Sequence, residues 1–312
     1  MSLPAFLAFP GQGSQHLSML SIGGILDIAL STNHKDAVEY CSDLISYNAI
    51  KLIEEGPEDI INKTSVTQPL LVLCSYLHHQ KLLDKLDLKP MYMAGHSLGE
   101  YSALVAANAI SITSALKLVK KRGELMESAP NGSMSAIMGL EQRVIEDLCI
   151  EASIGIDSQV QCANLNTPNQ TVISGHQDAI DRAQALCLEI GAKRAIKLKV
   201  SIASHSPLMI EAAKEFKQTL QTIEILMPET PILHNSTASS VDCIDDLKSV
   251  LVSQLHSPVR WVETCIKISS FDLPVIECGP NKILSGLFKA NKLENYFSSS
   301  DEQFYEKISN YG

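Results

Sequence analysis

A serine lies between two glycines at Gly95-His96-Ser97-Leu98-Gly99, after the apolar residues 91–94, which read as a short buried strand, and before an alanine-rich stretch, 99–110, which reads as a helix. G-x-S-x-G at a strand-to-helix junction makes a turn with no room for a Cβ at either end, and it exposes the serine hydroxyl beside a helix N-terminus. Negative charge developing there is favoured by the helix dipole and by free backbone N–H groups. The chemistry open to such a serine is nucleophilic attack on an acyl carbonyl. A tight turn with an unreactive serine would show the same five residues, so the base and the oxyanion donors must be sought elsewhere.

A serine nucleophile needs a histidine whose second ring nitrogen is docked. His96 adjoins the nucleophile but points away from it in an elbow, which makes it a structural residue. His205, in KVSIASHSPLM, follows a strand pattern and precedes a helix. Strand ends of this kind are where α/β sites gather, although a loop histidine here also suits a helix-capping role. Ordinary α/β-hydrolases run Ser, then Asp or Glu, then His near the C-terminus. No histidine follows His256, so that order fits poorly.

Arg122 is the second signal. Over 113–128 a helix pattern sets Ala115, Leu118, Val119, Leu125 and Met126 in one stripe, and Arg122 lies within it. Lys117, Lys120, Lys121, Glu124 and Glu127 take the other face. A guanidinium on the core side is costly without an anion. Either an internal Asp or Glu supplies one, or the planar fork receives a substrate carboxylate. The third signal is FPGQGSQ, right after the first strand. Its Gln12 amide and the amide of Leu98 are candidate oxyanion donors.

Positions 12, 97, 122 and 205 meet only if a sheet and its helices gather them. Strand 5–9, helices 36–46 and 68–86, and the strand before Ser97 begin an α/β alternation. From Ser133 the rhythm changes to strand SMSAIMG, helix 141–153, strands QVQCAN and QTVISG, helix 178–190 and strand RAIKLKV. That βαββαβ order is ferredoxin-like. The alternation then resumes with helix 207–221, strand PILHN, helix 245–255 and strand LPVIEC. The expected fold is α/β, with a large catalytic domain of residues 1–131 and 200–312 interrupted by a small ferredoxin-like domain, 132–199. The polar end, SSSDEQFYEKISNYG, reads as a surface helix or a loose tail.

Bulk properties agree with this. The 312 residues, 45% hydrophobic and only 5% aromatic, suit an α/β core filled by Ala, Leu and Ile. A net charge of −10 argues against nucleic acid and anionic membrane as partners. No apolar run reaches the roughly 18 residues of a membrane span, and the N-terminal stretch has no basic-then-apolar leader. The eight cysteines form no C-x-x-C and read as reduced core residues, so a cytoplasmic setting is expected. There is no H-E-x-x-H, no Walker loop and no G-x-G-x-x-G. Neither a metal nor a cofactor is expected.

In sequence order the chain carries GQGSQ, GHSLGE, KKRG, NLNTPNQTVISG, SIASH, QLHSPVRW and ECGPNKIL. This set and its spacing resemble the malonyl-CoA:acyl carrier protein transacylases over essentially the whole chain. The resemblance implies an α/β-hydrolase-like core with an inserted ferredoxin-like subdomain. It also implies Ser97 as nucleophile, His205 as base, Arg122 as malonate receptor, and Gln12 and Leu98 as oxyanion-hole amides. In place of an acidic triad member, a backbone carbonyl at Gln254 would orient His205, and Asn164 or Asn166 would help order the pocket. The implied reaction passes malonyl from malonyl-CoA through a Ser97 acyl-enzyme to the phosphopantetheine thiol of an acyl carrier protein. Its setting would be fatty acid biosynthesis, or a polyketide synthase served in trans. The IASH ending at His205 is close to sequences that accompany branched malonyl units in modular relatives, which keeps methylmalonyl open beside malonyl. An editing hydrolase would share the serine and the histidine but has no need of Arg122, and a non-catalytic carrier-binding module would need neither.

Overall fold

The computed structural model describes residues 2–311. Its strands are β1 (Leu3–Phe9), β2 (Leu88–Gly95), β3 (Ser133–Met138), β4 (Val160–Thr167), β5 (Gln170–Gly175), β6 (Arg194–Lys197), β7 (Ile232–Leu233), β8 (Val275–Glu277) and β9 (Tyr296–Ser298). One sheet has the order β7-β2-β1-β8-β9 and is parallel throughout. Residues 5–9 of β1 are apolar without alternation and fully buried, as befits a parallel strand covered on both faces. The register pairs Phe9 with Gly95, Ala8 with Glu277 and Ala94 with Leu233. Four strands therefore finish at one level, and the loops leaving them carry Gln12, Ser97 and Asn235. The carboxyl edge of an open parallel sheet is where ligands are bound.

The second sheet has the order β4-β5-β3-β6 and is antiparallel throughout. Helices Gln142–Ala152 and Gln177–Glu189 pack on it around Ile137, Ile145, Ile173 and Ile180, a core of its own. The expected βαββαβ order is present, with β6 ending at Lys197 short of Val200. Gly132 N–H donates to Ser201 O at 2.9 Å where the chain enters and leaves this unit. Val259 pairs beside β4, donating to Ala163 O (2.8 Å) and accepting from Leu165 N–H (2.9 Å). The small sheet is thereby fastened to the segment that follows Gln254.

The helix carrying Arg122 spans Ile112–Ser128 and is capped by Ser111 Oγ, which accepts from Ser114 N–H at 3.1 Å. It packs along the helix Thr64–Lys85. Two expectations are corrected, and one alternative is decided. The short buried strand expected at 91–94 is the longer β2, Leu88–Gly95, of which only residues 93–95 are buried. The helix after Ser97 is Gly99–Ala106, shorter than 99–110, since Asn108 turns the chain at φ 56°. Of the two readings of the polar end the helix holds: Phe304–Ser309 is helical and buries Phe304 and Ile308 in the main core, and just before it β9 adds to the sheet edge.

Candidate active site

The elbow glycines are there for space. A Cβ on Gly95 would stand 1.8 Å from Gly99 C, and one on Gly99 would stand 2.0 Å from Phe9 O. Ser97 itself takes φ 51°, in the left-handed region. That conformation costs an L-residue on the order of 1–3 kcal/mol and persists only where neighbours enforce it. Asn235 enforces it here. Ser97 N–H donates to Asn235 Oδ1 at 2.6 Å, while Asn235 Nδ2 donates to Gly95 O at 2.7 Å.

His205 is buried and also has a positive φ, 58°. Its Nε2 lies 2.8 Å from Ser97 Oγ and its Nδ1 lies 2.7 Å from Gln254 O. A carbonyl only accepts, so Nδ1 carries the proton and Nε2 is left to accept from the hydroxyl. The backbone N–H of His205 donates to Leu255 O at 3.0 Å. From β4, Gln161 Nε2 donates to His205 O (2.7 Å) and to His256 O (2.9 Å), so the small sheet ties both loops together.

Burial, and next the positive Arg122, push the His205 pKa down to about 3. Burial moves His78 to about 3 and His79 to about 4 in the same direction. An unfolded histidine protonates near pH ~6.5, so the unfolded chain takes up these protons first as pH falls. The stability contributed by the neutral rings is whole above about pH 6.5 and is lost progressively toward pH 3. Single-turnover acylation of Ser97 should therefore stay level from about pH 8 to about pH 5 and fall only where the fold itself gives way. A stopped-flow profile with a limb centred near pH 6.5 would contradict this placement of the base.

Arg122 is fully buried. Its Nη1 donates to Gln68 Oε1 and its Nη2 to Gln254 Oε1, both at 3.0 Å, and the guanidinium lies 5.4 Å from the centre of the Tyr101 ring. Its Nε finds no acceptor, and the side chain joins no ion pair among the described residues. The internal salt bridge considered from the sequence is not what the side chain makes; two neutral amides meet it instead. The acid in this network is one residue further on. Gln254 Nε2 donates to Glu100 Oε2 at 2.7 Å and to Ser97 O at 3.0 Å. Glu100, fully buried, also accepts from His234 Nδ1 (2.5 Å) and Asn235 N–H (3.3 Å).

The loop with Gln12 lies directly on the elbow. A Cβ on Gly11 would stand 2.3 Å from His96 O and 3.5 Å from Leu98 N. The backbone N–H groups of Gln12 and Leu98 have no partner among the described residues, and Gln12 Oε1 accepts from Gln68 Nε2 at 3.2 Å. His96 turns away from Ser97 toward Asn166 Oδ1 (2.9 Å) and stands edge-on to Trp261. Asn166 thus orders that ring, whereas the side chain of Asn164, in β4, makes no hydrogen bond among the described residues. No group of three or more His, Cys, Asp or Glu among the described residues could hold a metal ion.

Sequence reasoning passed over Gln68, Glu100, Gln161 and Asn235. Glu100 had a usable signal, as the one charge in the otherwise uncharged helix GEYSALVA. Gln68 likewise stands in an apolar run, and Asn235 stands at the end of a strand pattern. Gln161 had none.

The family model described as "Acyl transferase domain" matches residues 6–285. The malonyl CoA-acyl carrier protein transacylase of Haemophilus influenzae is 41% identical over 291 residues, covering 91% of this chain and 90% of that protein. The solved structure of the corresponding transacylase from Coxiella burnetii has a TM-score of 0.91 at 37% identity, over 98% of this chain and 97% of that one. A malonyl-transacylase solved in complex with a type II polyketide acyl-carrier protein has a TM-score of 0.89 at 35% identity, over 100% of each chain. Likeness of this extent takes in every loop that meets at Ser97, and the chain belongs to the malonyl CoA-acyl carrier protein transacylase family of acyltransferases.

Proposed function

We propose that the chain moves malonyl from malonyl-CoA to the phosphopantetheine thiol of an acyl carrier protein, in fatty acid biosynthesis, with Ser97 as the covalent carrier. His205 Nε2 takes the Ser97 proton as Oγ attacks the thioester carbonyl. The Gln12 and Leu98 amides receive the oxyanion. Collapse expels the CoA sulfur, which leaves with the proton from His205. The carrier thiol then gives its proton to His205 and attacks the acyl-serine, and Ser97 recovers the proton as it leaves. Gln254 orients the base through its carbonyl. A thioester is already activated, so a nucleophile, a base and two N–H donors are enough.

The observation that carries the malonyl reading is Arg122: a buried guanidinium with only amide partners, bonded to the same residue that holds His205. A carboxylate one carbon beyond the thioester carbonyl is the group it suits. The same transfer serves a polyketide carrier, and the likeness to a transacylase bound to such a carrier favours that as the second reading, for malonyl or methylmalonyl units. The two sheets fit an α/β-hydrolase-like domain (residues 1–131 and 200–312) with a ferredoxin-like domain (132–199). The strand order of the small sheet, which runs second, third, first, fourth in chain order, supports the latter name. Eight unpaired thiols, seven of them buried, support a cytoplasmic setting. The net charge of −10 supports a protein rather than nucleic acid or membrane partner.

Intact mass after mixing with malonyl-CoA tests the proposal. A lasting malonyl adduct that discharges on adding holo carrier protein is expected. Free malonate without carrier would make the protein a hydrolase, and the absence of any adduct would leave it a binding module.

A further inference from the structure

We propose that Glu100 is a positioning residue of this site, fixing the Gln254 amide and through it both the Arg122 fork and the Ser97–His205 pair. The proposal rests on the malonyl-transfer reading above and adds a residue to it.

The amide of Gln254 has a donor-only group on one side and, on the other, a carboxylate that accepts. Arg122 Nη2 donates to its Oε1 at 3.0 Å, and its Nε2 donates to Glu100 Oε2 at 2.7 Å. A guanidinium has no lone pair to offer, and a carboxylate has no proton. Turning the amide over would set donor against donor and acceptor against acceptor among fully buried residues. Its second N–H is engaged by Ser97 O at 3.0 Å, and the backbone carbonyl of the same residue accepts from His205 Nδ1 at 2.7 Å. One residue thus touches the nucleophile and the arginine through its amide and the base through its backbone carbonyl, and Glu100 sets which way the amide faces.

Glu100 is built to hold still. It is fully buried, and its other oxygen accepts from His234 Nδ1 at 2.5 Å, while Asn235 N–H reaches Oε2 at 3.3 Å. It follows the elbow glycine directly, so the turn that presents Ser97 also delivers the carboxylate. The Gln254 spacer has a further use. A carboxylate in direct contact would saturate the fork, whereas one held behind an amide offsets the Arg122 charge and leaves Nε without a partner. With a neutral group at position 100 the amide loses its preferred sense, Arg122 loses a fixed acceptor, and malonyl transfer suffers more than acetyl transfer.

The test compares wild type, Glu100→Gln, Gln254→Ala and the double variant, each shown to be folded by its melting transition. The readout is the ratio of kcat/KM for malonyl-CoA to that for acetyl-CoA. Glu100→Gln should lower this ratio by about tenfold or more, and adding it to Gln254→Ala should lower it no further. A purely structural glutamate would depress both donors alike and leave the ratio unchanged, which overturns the proposal. Losses that multiply in the double variant also overturn it, since Glu100 would then act by another route. If Glu100→Gln does not fold, Gln254→Glu sets like charges against each other at the same 2.7 Å contact and should lower the ratio too; an unchanged ratio again overturns the proposal. Failure of the wild type to transfer malonyl at all would strike the functional reading instead. The rate of Ser97 labelling by a fluorophosphonate, which needs no acyl donor, then carries the same cycle, with the same non-additivity expected and independent losses refuting it.

Discussion

Ser97→Ala should leave no malonyl adduct in the intact mass and a transfer rate lower by roughly a million-fold, the scale on which serine enzymes lose activity without their nucleophile. The replacement is small and keeps the Ser97 N–H bond to Asn235, so the elbow and the fold should survive it. Among the described residues no other hydroxyl is hydrogen-bonded to His205 Nε2, so none is placed to stand in. Peptide mapping of the wild-type adduct gives the complementary result. Malonyl on any residue other than Ser97 would sink the assignment, however inactive the variant proved.

Arg122→Ala should cost malonyl-CoA two to three decades in kcat/KM while acetyl-CoA falls by far less. Removing one member of a buried ionic pair costs about 3–5 kcal/mol, and about 1.36 kcal/mol corresponds to tenfold. The asymmetry between donors follows from the hydrogen bonds. Without the guanidinium, Gln254 keeps Glu100 and Ser97 O as partners for its Nε2, and its carbonyl still receives His205 Nδ1. The machinery for acyl transfer therefore stays assembled, and what is lost is the receptor for the malonyl carboxylate. Arg122→Lys should fall between, because an ammonium keeps the charge without the fork. Equal losses for both donors, on a variant shown to be folded, would falsify the carboxylate-receptor role.

The parts of the site that could be read along the chain are those written locally. The elbow is five consecutive residues, and its close contacts follow from the two glycines. Arg122 betrays itself by helical period alone. His205 could be placed at a strand end, but its pairing with Ser97 spans 108 residues, and the Arg122 bond to Gln254 spans 132. Nothing in the spacing of single residues encodes such bonds; the resemblance carried the first, and the second came only with the structure. Gln161 stayed hidden for the same reason, since it acts on two loops from a distant part of the chain, and the local signals at Gln68 and Asn235 named no partner. In the fold, the βαββαβ unit was legible because its strands and helices are long enough to show their periods. β7, though only two residues long, was caught within PILHN, whereas the three-residue β9 borders the polar end and has no period to read. The helices Ala49–Glu55 and Glu58–Ile61 are similarly brief, and their apolar faces need tertiary neighbours to make sense.

Ser97 and His205 share a positive φ, so the two atoms proposed to exchange a proton hang from backbones held in a conformation uncomfortable for a side chain. Glycine would occupy both positions without that crowding, and asparagine nearly so. Thermal robustness and turnover therefore pull on these codons in opposite directions. A library screened only for resistance to heat would drift toward inactive sequences at 97 and 205. One screened only for acyl transfer would hold both and collect its compensating changes elsewhere, in the distant residues that clamp the two turns.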